Sequence, residues 1–149
     1  RTIMETIQKL IEVFSDNFVN NYRAHSAHFN IVGQNFYGWH KLLQKIYEDS
    51  EAIQDDLGEL IRALSAYAPE TIGDILAGAD LADTIAPTSD AMALLELVLE
   101  GQEHMVESYR KLEEIAEIVF REWGVSNAGI CIEFVDESAF TLFMLKWGD

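Results

Sequence analysis

The sequence has few residues that break helices, cross-link a chain or bind polyanions. Among its 149 residues are two prolines, Pro69 and Pro87, and one cysteine, Cys131. A single cysteine excludes an internal disulfide framework and fits a reducing compartment. The chain has ten basic side chains against 26 acidic ones, for a formal net charge of −16. This charge argues against a protein that binds nucleic acid by neutralising phosphates.

Long apolar runs are missing as well. No run approaches the ~18 residues that a membrane-spanning helix needs, and residues 1–7 lack the apolar region of a signal peptide. We therefore expect a cytoplasmic protein with no membrane partner. Apolar residues still make up 49% of the chain, enough to bury a core. The length suits one domain, residues 1–149.

The spacing of apolar residues predicts helices in the first half of the chain. Steps of three and four residues place one apolar stripe on a helix from Ile3 to Phe29. A turn follows over Asn30–Asn35, where Gly33 is free to adopt a positive φ. A second helix is predicted from Phe36 to about Ala66, ended by the restriction that a proline places on the residue before it.

The second half of the chain predicts one short helix and two long ones. A capping box at Thr71 predicts a short helix over 72–76. A third long helix follows a cap at Thr88 or Ser89 and ends at Trp123, and a fourth spans about 127–147. Long helices with short turns pack as bundles. We therefore predict an all-α four-helix bundle, with the short extra helix in the crossover between helices two and three.

Residues that commonly bind metals stand out on the first two helices. The Glu-x-x-His pairs that build carboxylate-bridged sites inside bundles are absent, because Tyr22 and Gly101 precede His25 and His104 at that spacing. The candidate ligands are His28, His40, Asp55 and Glu59. Two imidazoles and two carboxylates form a mixed nitrogen and oxygen set that suits ferrous iron.

Helix geometry restricts how these four residues can meet. His40 and Asp55 are separated by about 22 Å of helix at 1.5 Å per residue, so one metal ion cannot contact both within one chain. Their angular offset is only about 60°, which places them on one side of the helix. Two copies packed antiparallel about a two-fold axis would bring His40 close to the other copy's Asp55 and Glu59. If these residues are ligands, the site lies between subunits.

The arrangement resembles the DNA-protection-during-starvation (Dps) mini-ferritins, a family of the ferritin-like superfamily. The resemblance rests on two histidines, His28 and His40, around an Asn-x-x-Gly turn, followed by Asp55 and Glu59 on the second helix. It is close over residues 22–70, and the predicted helix order matches along the whole chain.

The resemblance implies a hollow homo-oligomeric shell of twelve four-helix-bundle subunits, with the short helix at a two-fold interface. His28 and His40 of one subunit and Asp55 and Glu59 of its mate are expected to form a ferroxidase site for iron. Ferrous iron is oxidised there, preferentially by hydrogen peroxide, and ferric mineral is stored in the cavity. The expected role is protection against oxidative stress.

One departure from the family pattern falls within the site. Gln44 stands one turn after His40, where an acidic ligand is expected, so a second iron of a two-metal site is expected to bind weakly. Gln44 also keeps an alternative open, namely a shell with impaired ferroxidase activity that acts as a structural or DNA-protecting protein. Direct DNA binding is not expected, because the chain ends lack the lysine-rich tails on which it depends in the family.

Other departures concern the surroundings of the site. Phe29 replaces a tryptophan beside the first histidine, and Leu60 replaces an arginine of an interface salt bridge. Ser126 and Gly129 stand where acids line a pore. Iron uptake is therefore assigned to acids further along the last helix, namely Glu133, Asp136 or Glu137.

Four remaining residues are interpreted as ordinary structural positions. His25 lies in the apolar stripe of the first helix and is expected to be a packed histidine. His104 lies between two glutamates on the third long helix and is expected at the surface. Trp39 and Tyr47 are expected to pack rather than to relay electrons.

Overall fold

The computed structural model describes residues 3–83 and 88–123, and every regular element within these ranges is a helix. The helices are α1 (Ile3–Asn30), α2 (Phe36–Ala63), α3 (Ile72–Gly78) and α4 (Ala91–Trp123). The predicted fourth long helix lies outside the described residues, as do Cys131, Ser126, Gly129 and the proposed pore acids Glu133, Asp136 and Glu137. No described helix is both long and apolar enough to cross a membrane.

A tight turn folds α2 back along α1, as the sequence predicts. Gly33 adopts a φ of 129°, a conformation that a side chain would disfavour. Ile31, two residues before Gly33, anchors the start of the turn. Its side chain is 1% exposed, and its N–H donates to the carbonyl of Ala27. The last turn of α1 and the first turns of α2 are therefore fixed side by side.

The end of α2 was predicted wrongly. The helix stops at Ala63, one turn before the predicted end at about Ala66. Ser65 adopts the left-handed conformation with a φ of 64°, and its N–H donates to the carbonyl of Arg62 while the next N–H donates to that of Ile61. These two bonds form a Schellman motif, so the helix ends before the proline restriction acts.

The starts of α3 and α4 depend on side-chain caps. Thr71 Oγ1 accepts a hydrogen bond from the N–H of Asp74 at 3.1 Å, which confirms the predicted start of α3. The cap of α4 is Asp90, whose Oδ2 accepts from the N–H of Ala93 at 2.9 Å. The predicted cap at Thr88 or Ser89 is therefore wrong, because the cap lies one or two residues later, at Asp90, directly before the first helical residue, Ala91.

The buried face of α1 is largely polar. The predicted apolar stripe coincides with it only in part, since Tyr22 and Phe29 are 64% and 63% exposed. The buried polar side chains in the middle of α1 are Ser15, Asp16, Asn17, Asn20 and Arg23. We call Asp16, Asn17, Asn20 and Arg23 the α1 polar belt.

The amides of the α1 polar belt tie α1 to its neighbours. Asn17 Nδ2 donates to the carbonyl of Ser50 on α2 at 2.9 Å, and Asn20 Nδ2 donates to Gln102 Oε1 on α4. Asn20 lies so close to Gly101 that any side chain there would collide with its Oδ1. These contacts fix the separations of α1 from α2 and from α4.

The charged members of the belt hold the crossover that follows α3. Asp16 is fully buried, and its Oδ1 accepts from the N–H groups of Asp80 and Leu81 at 2.7 and 2.8 Å. The Arg23 guanidinium donates to the carbonyl of Ala82. The segment after α3 is therefore held against α1 by two buried charges.

His104 completes this arrangement and corrects a prediction. Its Nε2–H donates to Asp16 Oδ2 at 2.8 Å, and its side chain is only 26% exposed. The expectation of a surface histidine is wrong because the carboxylate that binds it lies 88 residues away in sequence. Local spacing on α4 shows only its glutamate neighbours.

Replacing His104 by leucine is expected to destabilise the protein by about 2 kcal/mol, since a hydrogen bond to a charged group contributes about 1.5–3 kcal/mol. His104→Gln keeps a side-chain donor and is expected to lose less than half of that. Urea unfolding gives the free energies, and hydrogen exchange at Asp80 and Leu81 reports on the crossover. Equal losses in the two variants, or unchanged exchange at both amides in His104→Leu, would contradict the assigned role.

Candidate metal centre

The turn between α1 and α2 brings the two predicted histidine ligands into contact. His28 lies near the end of α1 and is 6% exposed, whereas His40 lies in the second turn of α2 and is half-buried. Their rings are stacked, with centroids 3.6 Å apart and planes inclined by 18°. The structure therefore brings these two imidazoles together at the turn.

Reciprocal hydrogen bonds fix both rings. His28 Nδ1–H donates to the carbonyl of His40 at 2.8 Å, and His40 Nδ1–H donates to the carbonyl of His28 at 2.8 Å. Because a carbonyl oxygen can only accept, Nδ1 carries a hydrogen in both rings, and the neutral form of each ring keeps the lone pair on Nε2. A backbone carbonyl on one ring nitrogen is the usual arrangement around a metal-binding histidine. The pair therefore fits a divalent transition metal.

Aromatic side chains surround the pair. His25 stacks on Tyr47 with centroids 3.9 Å apart, and on Phe29 at 4.5 Å. Tyr47 meets His28 edge to face at 5.2 Å, and Phe36 stacks on His40 at 4.9 Å. His25 is therefore a packed histidine, as predicted, and Tyr47 also packs. Both rings support the position of His28.

The acidic candidates lie further along α2. Asp55, Asp56 and Glu59 each offer a carboxylate oxygen within 4.8 Å of the others, the only such group of three ligand residues in the part of the chain described here. Asp55 and Glu59 are exposed, and Asp56 is partly buried. Asp56 was not predicted, although its spacing of three from Glu59 places the two side by side on a helix.

The histidine pair and the acidic group remain apart within one chain. Neither His28 nor His40 belongs to the group formed by Asp55, Asp56 and Glu59. This agrees with the helix-length argument, by which about 22 Å of α2 separates His40 from Asp55. Within one chain, the candidate ligands are therefore divided between two places.

An open groove lies beside the acidic group. It has a volume of about 710 Å³ and runs between α1 and α2. The aromatic side chains of Phe14 and Phe18 line it together with Asp55, Glu59 and Arg62. The acidic half of the set therefore faces a concave, partly apolar surface of the size of a ligand or partner side-chain site.

Gln44 is engaged along α2. Its Nε2 donates to Glu48 Oε1 at 2.8 Å. The amide hydrogens thus point to a carboxylate one turn further on, and only the neutral Oε1 remains to contact a metal. A neutral oxygen attracts a divalent cation less strongly than a carboxylate does.

Comparison with known proteins agrees with this architecture. The model of the ferritin-like domain family matches residues 5–121. A DNA protection during starvation protein from Helicobacter pylori is 25% identical over 114 residues, which covers 76% of this chain and 79% of the relative.

Solved structures show the same fold. A Dps homologue from Halobacterium salinarum superposes with a TM-score of 0.88 at 18% identity, covering 99% of this chain and 82% of that one. The Dps protein from Vibrio cholerae, described as ferritin-like and diiron-carboxylate, gives a TM-score of 0.84 at 20% identity over 97% of this chain and 88% of that one. The chain belongs to the ferritin-like domain family, and its fold is the all-α four-helix bundle of the Dps proteins.

Proposed function

We propose that this protein is a mini-ferritin that oxidises ferrous iron with hydrogen peroxide and stores the ferric product. The subunits assemble through two-fold pairs into a hollow twelve-subunit shell in the cytoplasm. His28 and His40 of one subunit and Asp55 and Glu59 of its mate bind the iron. Removing ferrous iron and peroxide together protects the cell from oxidative stress.

The observation that carries this proposal is the reciprocal bonding of His28 and His40. In each ring, Nδ1–H donates a hydrogen bond to the backbone carbonyl of the other residue. The two Nε2 atoms are therefore oriented and available at one place. Among the described contacts, neither Nε2 atom forms a hydrogen bond. The acidic group on the same helix supplies the oxygen ligands that ferrous iron accepts.

The separation of the two half-sites supports a location between subunits. A two-fold axis that pairs two α2 helices antiparallel completes two sites at once, because each subunit donates both halves. Large exposed apolar side chains near these helices favour burial against a second subunit. They are Tyr22, Phe29, Phe36, Ile72 and Leu76.

The residues have distinct tasks in the reaction. Asp55 and Glu59 bind and partly neutralise ferrous iron, and the Nε2 atoms of His28 and His40 hold it in place. Two ferrous ions each give one electron to hydrogen peroxide, its O–O bond breaks, and two protons complete two water molecules. The aromatic rings of Tyr47 and His25 keep the first histidine fixed while the charge of the iron changes.

The double variant His40→Ala with Asp55→Ala is expected to lose ferroxidase activity by at least tenfold, since loss of supporting groups around a metal already costs about 10–100-fold in affinity or activity. Ferrous iron is loaded anaerobically, peroxide is added, and ferric absorbance is followed. Glu103→Gln with Glu107→Gln on α4 is the control for altered surface charge. If the wild type oxidises iron no faster than His40→Ala with Asp55→Ala, the protein is a shell without ferroxidase function.

Gln44 is expected to limit the second iron position. Gln44→Asp restores a charged oxygen and is expected to raise ferrous iron bound per site from about one toward two, as a carboxylate favours a cation more than an amide does. Anaerobic calorimetric titration measures the stoichiometry, with Gln44→Asn as the neutral control. Unchanged stoichiometry in Gln44→Asp would show that this residue does not contact iron.

A further inference from the structure

Three flat rings are stacked beside the histidine pair. His25 lies between Tyr47 and Phe29, at centroid distances of 3.9 and 4.5 Å, and the planes are inclined by only 16° and 25°. His25 and Phe29 stand on successive turns of α1, whereas Tyr47 belongs to α2. We call these three residues the ring stack. It joins the two helices that carry His28 and His40.

Every member of the ring stack lies beside the ring of His28. Their planes are inclined to it by 62°, 63° and 77°, and the centroids are 6.0, 5.6 and 5.2 Å away, in the order His25, Phe29 and Tyr47. Aromatic rings attract one another in such inclined arrangements when their centroids are about 4.5–7 Å apart. His40 covers a face of the same ring at 3.6 Å. His28 is therefore enclosed by four other rings.

This enclosure restrains His28 in a way that its hydrogen bond does not. The bond joins Nδ1–H to the carbonyl of His40, and a single hydrogen bond leaves a ring free to tilt about it. A tilt displaces Nε2, which is the atom that binds metal in the proposed site. Rings on several sides remove this freedom before metal arrives. Such preorganisation raises affinity, because less conformational freedom is lost on binding.

His25 is the central member of the ring stack. It is the one ring that stacks on both of the others. Tyr47 has a further anchor, since Asn21 Nδ2 donates to its backbone carbonyl at 2.8 Å, whereas Phe29 is 63% exposed. Loss of the His25 ring would therefore separate Phe29 from Tyr47 and leave a gap beside His28.

The position of His25 differs from that of a third ligand. Within the part of the chain that the structure describes, it belongs to no group of three ligand-type side chains whose atoms lie within 4.8 Å of one another. Both faces of its ring are covered by Tyr47 and Phe29. The ring can therefore act on the metal centre through its flat shape, without using its nitrogen atoms.

We propose that His25 is a positioning residue of the metal centre, which sets metal affinity through the orientation of His28 and does not bind the metal itself. This role rests on the proposed function, in which Nε2 of His28 is a ligand. Replacing a group that supports a metal ligand typically costs about 10–100-fold in affinity or activity. A loss of that order is expected when the flat ring at position 25 is removed.

The test compares two replacements of His25, one flat and one branched. The full-length assembly is freed of metal with EDTA, and calorimetric titration with Zn²⁺, which has no redox chemistry, gives the dissociation constant. His25→Leu is expected to weaken Zn²⁺ binding by about tenfold or more. His25→Phe keeps a flat ring but no nitrogen atom, and is expected to stay within about threefold of the wild type because aromatic rings of either kind stack.

His104→Leu is the matched control, because it makes the same replacement at a histidine far from the pair. His104 binds Asp16, which precedes His28 by about 18 Å of α1. This variant is expected to lose stability and to keep wild-type Zn²⁺ affinity. Urea unfolding of every variant separates loss of stability from loss of affinity. If His25→Leu does not fold, Tyr47→Leu and Tyr47→Phe provide the same comparison within the ring stack.

The outcomes distinguish the possible roles of His25. Equal losses of affinity in His25→Phe and His25→Leu would make it a ligand and overturn the proposal. Unchanged affinity in both variants would make it an ordinary packed residue, and an equal loss in His104→Leu would assign the effect to lost stability. Either result also overturns the proposal.

Two further results separate this role from the proposed function. Wild-type protein that binds Zn²⁺ no more tightly than His28→Ala with His40→Ala would reject the metal centre and the role of His25 together. The expected order of Zn²⁺ affinities in a protein that oxidises no iron would reject the proposed activity and leave the role of His25 intact.

Discussion

The polar side chains that α1 buries constrain the rest of the molecule. Asn17 and Asn20 bind α2 and α4, while Asp16 binds α4 and the crossover together. Leaving a buried polar group unpaired costs about 1–3 kcal/mol, and the amide nitrogens of Asn17 and Asn20 and the carboxylate of Asp16 all have partners here. These side chains are therefore committed to structure. The described interior has no carboxylate and imidazole group left for a metal, and the candidate ligands lie on the outer face of α2 and at the turn before it.

Because the candidate ligands lie on the outer face of α2 and at the turn before it, they fall into two separate groups. The tight turn at Gly33 places His28 against His40, and their backbone carbonyls orient both rings. The acidic group follows further along the straight helix α2, beyond the reach of those rings. A straight helix cannot bring its own distant turns together, which is why the proposed site takes its missing half from a second copy.

Much of the fold was predictable because the signals are local. The turn at Gly33 and the cap at Thr71 each depend on neighbouring residues, and the structure agrees with both. The wrong predictions involve contacts that local patterns do not encode. Asp16 and His104 meet across 88 residues, and an apolar stripe cannot reveal that Tyr22 faces outward while Asn17 is buried. Ser65 in a left-handed conformation lacks the glycine signal of such helix ends.

The candidate site was predictable in composition but not in detail. The spacing of His28, His40, Asp55 and Glu59 predicted the ligand set and its division. The reciprocal carbonyl bonds and the participation of Asp56 in the acidic group required three-dimensional positions. The role proposed for Gln44 draws on both, since the sequence has a neutral residue there and the structure shows its amide bound to Glu48.

The most direct test of the central claim is complementation between two inactive variants. One lacks both histidines, His28→Ala with His40→Ala, and the other lacks both acids, Asp55→Ala with Glu59→Ala. If the site lies between subunits, co-expression restores one complete site in every mixed pair, or about a quarter of the wild-type sites with random pairing. Peroxide-dependent iron oxidation by the mixed assembly should then return to about that fraction. A mixed assembly as inactive as its two parents would contradict a site shared by two subunits.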